Sequence, residues 1–150
     1  MIHYRQATAA DIPQMSAIRL AVTENVLSDP AKVTTLMYED YLERLGRGWV
    51  AEEGGQVLGF SYAASADNSI WALFVLPGQE GRGMGRRLLE LATNWLFERG
   101  AEAVVLSTDA DTRADRFYQA QGWQRGQVHP DGEVGYRLPR RRYLGRALTT

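Results

Sequence analysis

The stretch Gly81-Arg82-Gly83-Met84-Gly85 places glycines at alternate positions, with one arginine inside the loop and another, Arg86, directly after it. Glycine lets a backbone approach a ligand closely, and the free N–H groups that open a following helix point at anions. The chemistry suited to this stretch is therefore phosphate binding, with Arg82 and Arg86 as charge-assisted donors to the same anion. ATP or GTP held by a P-loop is not expected, because that motif needs Gly-Lys-Ser/Thr whereas Gly85 is followed by Arg86-Arg87-Leu88. The dinucleotide fingerprint fits poorly too, since its third glycine falls where Arg86 stands. The competing reading is a tight glycine turn with no ligand.

Other chemistries are removed by composition. The chain has no cysteine, so disulfides, cysteine-ligated zinc and a cysteine nucleophile are out. His3 and His129 are too isolated to define a metal site, and none is expected. A formal net charge of -1 gives no field that would draw nucleic acid or an anionic membrane. The start, Met1-Ile2-His3-Tyr4-Arg5, lacks a signal-peptide pattern, and no apolar run reaches the ~18 residues of a membrane span. The expectation is a soluble cytoplasmic protein. With 45% apolar and 23% charged residues the chain reads as folded, and 150 residues suit one domain, 1–150. Arg137, Arg140, Arg141, Arg142 and Arg146 make the C-terminal end basic; 139–150 is expected to be a solvated or frayed tail, the alternative being a contact with RNA or an acidic partner.

The elements that would hold the loop follow from periodicity. A short strand over 2–7 precedes a helix opened by Asp11 and Pro13, with Ile12, Met15, Ile18, Ala21, Val22 and Leu27 at helical spacing. A second helix is expected after Ser28-Asp29-Pro30, ended by Gly46 and Gly48. Glu53-Gly54-Gly55-Gln56 between apolar runs predicts a hairpin. The run Ile70–Leu76 is apolar on both faces and reads as a central strand, stopped by Pro77-Gly78. After the glycine loop, Met84, Leu88, Leu91 and Trp95 form one helical stripe, widened by Leu89, Ala92 and Leu96. Ala103–Leu106 predicts a buried strand, 111–121 a helix, and 123–128 and 133–138 the last strands. The order β-α-α-β-β-β-α-β-α-β-β is that of an α/β layered domain.

At this point the sequence resembles the GCN5-related N-acetyltransferases. The first matching stretch is Val75-Leu76-Pro77-Gly78-Gln79-Glu80-Gly81-Arg82-Gly83-Met84-Gly85, similar to the family's Arg/Gln-x-x-Gly-x-Gly/Ala after a strand and proline. The second is Asp111-Thr112-Arg113-Ala114-Asp115-Arg116-Phe117-Tyr118 with Gly122-Trp123, similar to Asn-x-x-Ala-x-x-Phe-Tyr-x-x-x-Gly-Phe. The element order agrees from about residue 2 to 138. The resemblance implies a mixed, mostly antiparallel central sheet flanked by helices, with acetyl-CoA as cosubstrate and a small-molecule or peptide amine as acceptor; a homodimer is a family-level expectation. It assigns the backbone of Leu73, Phe74 and Val75, on a strand splayed from its neighbour, to pantetheine and the acetyl carbonyl. It assigns Gly81, Arg82, Gly83, Met84, Gly85 and Arg86 to the pyrophosphate, Asp111 to the cofactor's surroundings and Tyr118 to the acid that protonates the departing thiolate. A phenol of reference pKa about 10 suits that last role.

Two positions depart from the pattern. Glu80 stands where Arg or Gln is usual, free to point away or to pair with Arg82, and Asp111 replaces Asn. Two usual sites of a basic glutamate carry Ser69 and Leu106, leaving Glu24, Glu39, Asp40 and Asp67 as candidate bases. Alternatives are another acyl donor, such as succinyl- or propionyl-CoA, and a catalytically silent CoA-binding module.

Overall fold

The computed structural model describes residues 1–22 and 45–149, the side chains of 146–149 excepted. The helix expected after Pro30 lies outside the described residues, as do Leu27, Glu24, Glu39 and Asp40. The chain forms β1 (His3–Gln6), a 3-10 turn at Ala9–Asp11, α1 (Ile12–Ala21), β2 (Gly46–Glu53), β3 (Gln56–Ala64) and β4 (Ser69–Val75). It continues through α2 (Met84–Glu98), β5 (Ala103–Asp109), α3 (Arg113–Ala120), β6 (Gln124–Val128), β7 (Glu133–Pro139) and α4 (Arg140–Thr149). The strands make one seven-stranded sheet in the order β1-β2-β3-β4-β5-β7-β6. Every pairing is antiparallel except β4 with β5, which α2 separates in sequence as a parallel crossover requires. This is the mixed, mostly antiparallel sheet expected above.

Apolar residues cover both sheet faces. On one face Ile12, Met15 and Ile18 of α1 pack on Val50, Phe60, Tyr62, Ala72 and Phe74. On the other, Leu88, Leu89, Ala92 and Leu96 of α2 pack on Trp49, Ala51, Ile70 and Val104. Leu88 and Leu96 are completely buried, and each such side chain contributes about 1.5–3 kcal/mol. The predicted stripe of α2 is rotated: Leu91 and Trp95 are half-buried, and the buried row runs Met84, Leu88, Leu89, Ala92, Thr93, Leu96 and Phe97. Trp95 instead meets Trp49 edge-on at 6.0 Å and lies beneath the guanidinium of Arg99.

Three expectations change. Gly46 and Gly48 begin β2 rather than end a helix: a Cβ on Gly46 would lie 1.8 Å from the Ala63 carbonyl oxygen, so glycine is required by strand contact. β5 is not buried on both faces but alternates, with Val104 and Leu106 inside and Val105 exposed. Residues 140–149 form α4 instead of a frayed end; Arg140 donates to the carbonyls of Ala101 (2.9 Å) and Phe97 (2.6 Å), and Tyr143 stacks on Phe97. No helix among the described residues is long and apolar enough to cross a membrane.

Candidate active site

β4 and β5 meet at one register position, Ser69 opposite Val105, with Val105 N–H donating to the Asn68 carbonyl at 3.0 Å. Beyond it β4 is paired only on its β3 side, where Leu73 faces Ser61, Phe74 faces Phe60 and Val75 faces Gly59. The strand's other edge opens into a wedge, and buried backbone groups in such a wedge need hydrogen-bond partners from outside the sheet. A bulge at the start of the wedge puts Trp71 between the Ala63–Ile70 and Tyr62–Ala72 pairs. Trp71, Ala72 and Phe74 consequently pack on the α1 face, whereas Leu73 and Val75 pack towards α2.

The glycine loop closes the wide end. Gly78, Gly81 and Gly83 have φ of 92°, 83° and 81°, and Gly83 is the N-cap of α2. A Cβ on Gly81 or Gly83 would meet nothing within 4 Å, so the backbone angle is what demands glycine there. Helix α2 starts with no side-chain cap and no acidic residue in its first turn. The bond from Arg87 N–H to Gly83 O closes that turn at 3.2 Å, which leaves the N–H groups of Met84, Gly85 and Arg86 ahead of the helical ladder. Those groups and the helix dipole give this end a partial positive charge. Gly85 brings the turn against α3, where a Cβ added to it would lie 3.6 Å from the Phe117 ring.

The charges around the loop are sorted by ion pairs. Arg82 does not face the helix end: it pairs with both oxygens of Glu53 on the β2–β3 hairpin (2.8 and 3.2 Å) and reaches Gln79 at 3.0 Å. Glu80 pairs with Arg113 at 2.9 Å, not with Arg82, and also accepts from Gly78 N–H at 2.7 Å. Both contacts hold its carboxyl below the usual range, Arg113 most strongly. Arg86 is exposed and meets Glu90 at 3.3 Å. The side chain of Met84 is buried in the core, leaving only its N–H for a ligand.

On α3, Tyr118 is buried among Phe117, Trp123 and Tyr136, with ring centroids 5.3, 6.2 and 5.5 Å away. Burial, reinforced by Tyr136, pushes its phenol well above the ordinary value, so it is protonated at neutral pH. Among the described residues its hydroxyl has no hydrogen-bond partner. Asp111 has φ 63°, a left-handed angle that Asp and Asn tolerate best after glycine. Its N–H donates to Asp115 at 2.9 Å, so the backbone turn gives a reason for its residue type.

Asp115 is the center of a network that the sequence reading missed. Its carboxylate accepts from Arg125 Nε (3.0 Å) and Nη2 (2.9 Å) and from the Tyr136 hydroxyl. These donors, Arg125 first, hold its pKa far below the carboxylate range despite burial. One signal was present: Thr112-x-x-Asp115 is a capping pattern, and Thr112 Oγ1 accepts from Asp115 N–H. Nothing in the sequence pointed to Arg125.

A cavity of about 700 Å³ opens at the fork, lined by Asp67, Ser69, Trp71, Val105, Ser107 and Arg137 among others. Asp67, the one candidate base among the described residues, accepts from Ser69 Oγ at 2.6 Å on its rim. The structure thus sets the open β4 edge at Leu73–Val75 just before the glycine loop, while Tyr118 lies in the core against Phe117, whose ring faces Gly85.

The family model described as Acetyltransferase (GNAT) family matches residues 14–123, and the chain belongs to that family. A mycothiol acetyltransferase of Renibacterium salmoninarum is 28% identical over 118 residues, covering 73% of this chain and 34% of that protein. The one from Pseudarthrobacter chlorophenolicus is 31% identical over 104 residues, covering 63% and 32%. The chain thus spans about a third of the length of these curated relatives. Among solved structures, PaiA N-acetyltransferase of Thermoplasma acidophilum in complex with coenzyme A shares the fold at TM-score 0.81 and 13% identity, over 93% of this chain and 99% of that one. Ribosomal-protein-alanine N-acetyltransferase of Brucella melitensis gives 0.74 and 22%, over 91% and 99%.

Proposed function

We propose that the protein transfers the acetyl group of acetyl-CoA directly to a primary amine of a small molecule or peptide. The observation that carries this reading is the wedge: β4 is unzipped from β5 beside an uncapped, glycine-opened helix end. The unpaired edge near Leu73–Val75 suits an extended amide-bearing chain, and the N–H groups of Met84, Gly85 and Arg86 suit a pyrophosphate. The Glu80–Arg113 pair draws the unexpected carboxylate off the helix end, so the loop fits the group. Bound acetyl-CoA supplies an acyl thioester open to attack by an amine.

This chain's residues do the rest. Backbone N–H groups on the open edge of β4 are donors fixed in advance for a carbonyl oxygen on which charge builds. Tyr118 holds a proton at Oη, retained at working pH by burial, for a departing sulfur. Asp67 on the cavity rim is placed to take a proton from an ammonium, directly or through water. Holding both substrates at the fork makes the reaction effectively unimolecular without a covalent enzyme species.

Calorimetric titration with acetyl-CoA, on the wild type and Gly83→Glu, tests the reading. Micromolar binding that the variant loses supports it. A glutamate at this left-handed angle is strained, so lost binding counts only where the variant still melts cooperatively, at a somewhat lower temperature. No binding to wild type sinks the proposal, and tight binding with no turnover on any amine indicates the silent CoA-binding module instead.

A further inference from the structure

Arg19, in the last turn of α1, buries its Nε and Nη1 atoms, and among the described residues neither has a hydrogen-bond partner. Its guanidinium carbon lies 5.6 Å from the centroid of Trp71 and 5.7 Å from that of Phe74. These rings satisfy the face of the cation, but guanidinium N–H bonds lie in its plane and still require acceptors. An arginine cannot shed its proton to escape the penalty. Among the described residues, Asp11 pairs with Arg5 and Asp67 accepts from Ser69.

The position gives this cation a purpose. Phe74 is the middle residue of the open β4 segment, and Trp71 is both the bulge residue and part of the cavity wall. The unpaired donors therefore sit one aromatic ring from the strand edge where the amine must arrive. We infer that Arg19 anchors a carboxylate of the acceptor, which is a small amine carrying that carboxylate a few bonds from its nitrogen. The inference rests on the acyl-transfer reading above. A planar carboxylate matches the fork of a guanidinium, which can hold it through two parallel hydrogen bonds.

The test is a panel of free amino acids assayed against their C-terminal amides, with wild type, Arg19→Met and Arg19→Lys. For wild type, kcat/KM is expected to favour the carboxylates by at least about tenfold. Arg19→Met should erase the preference through KM, and Arg19→Lys should keep part of it. Acetyl-CoA titration of each variant shows that the fold and cosubstrate site survive. Equal use of acids and amides by wild type, a preference undiminished in Arg19→Met, or no turnover of either series while acetyl-CoA binds would each overturn the inference alone. Absence of acetyl-CoA binding to wild type would remove the enzyme reading and this inference with it.

Discussion

Tyr118 and Asp115 occupy the same short helix and show how burial acts in opposite directions on two ionisable groups. Tyr118 meets rings and becomes a weaker acid; Asp115 meets donors and becomes a stronger one. If Tyr118 serves as the acid, Tyr118→Phe should lower kcat at least about tenfold with acetyl-CoA affinity retained, read by steady-state kinetics beside calorimetry. Because burial raises its pKa, any loss of kcat below pH 10 should persist unchanged in the variant's profile. For Asp115, truncating Arg125 to alanine leaves a buried carboxylate held by the Tyr136 hydroxyl and Asp111 N–H, and should lower stability in a urea titration, by less than a fully buried pair would because Arg125 is partly exposed. The folded-state pKa is depressed, so Asp115 contributes stability fully above its unfolded value of about 3.9. That contribution is lost progressively as pH falls below it, and the wild-type and Arg125→Ala stabilities should converge towards strong acid.

At the scale of elements, legibility followed the range of the interaction. The hairpin at Gly54-Gly55, the stop at Pro77-Gly78 and the start of α2 are encoded by local backbone preferences, and the structure places them as the sequence indicates. Gly46 was misread because a contact with Ala63, far along the chain, looks like a helix cap when only neighbours are visible. The α2 stripe was rotated because apolar residues occur on more than one side of that helix. Only the sheet decides which side is covered. Around the candidate site, the positive φ angles of the glycine loop could be expected from its residue types and Tyr118 came only from the family resemblance, whereas the partners of Arg82, Glu80 and Asp115 were set by which strands and helices became neighbours. Helix α4 belongs to the same class, since its arginines read as solvated charge until Arg140 reaches the end of α2. Arg140→Ala removes charged donors to two carbonyls and should lower stability by about 1.5–3 kcal/mol, measured by chemical denaturation.

For the whole molecule, a ligand that binds only the folded chain raises stability by mass action. Acetyl-CoA at a hundred times its dissociation constant should add about 2.7 kcal/mol, and scanning calorimetry should show the midpoint rising by about 5–10 °C. Gly83→Glu should show no such rise. The single pairing between β4 and β5 has a further consequence. The sheet carries a seam that divides it into two plates, β1–β4 and β5–β7–β6, and the chain supplies almost none of the backbone bonds that would sew them together. On the proposed reading, an extended molecule bound in the seam would act as a guest strand, completing an architecture the polypeptide leaves unfinished. Amides along both lips of the seam should exchange hydrogen quickly in the free protein and slow together when the guest arrives, so that a binding event is recorded as a change in cooperativity across the whole sheet.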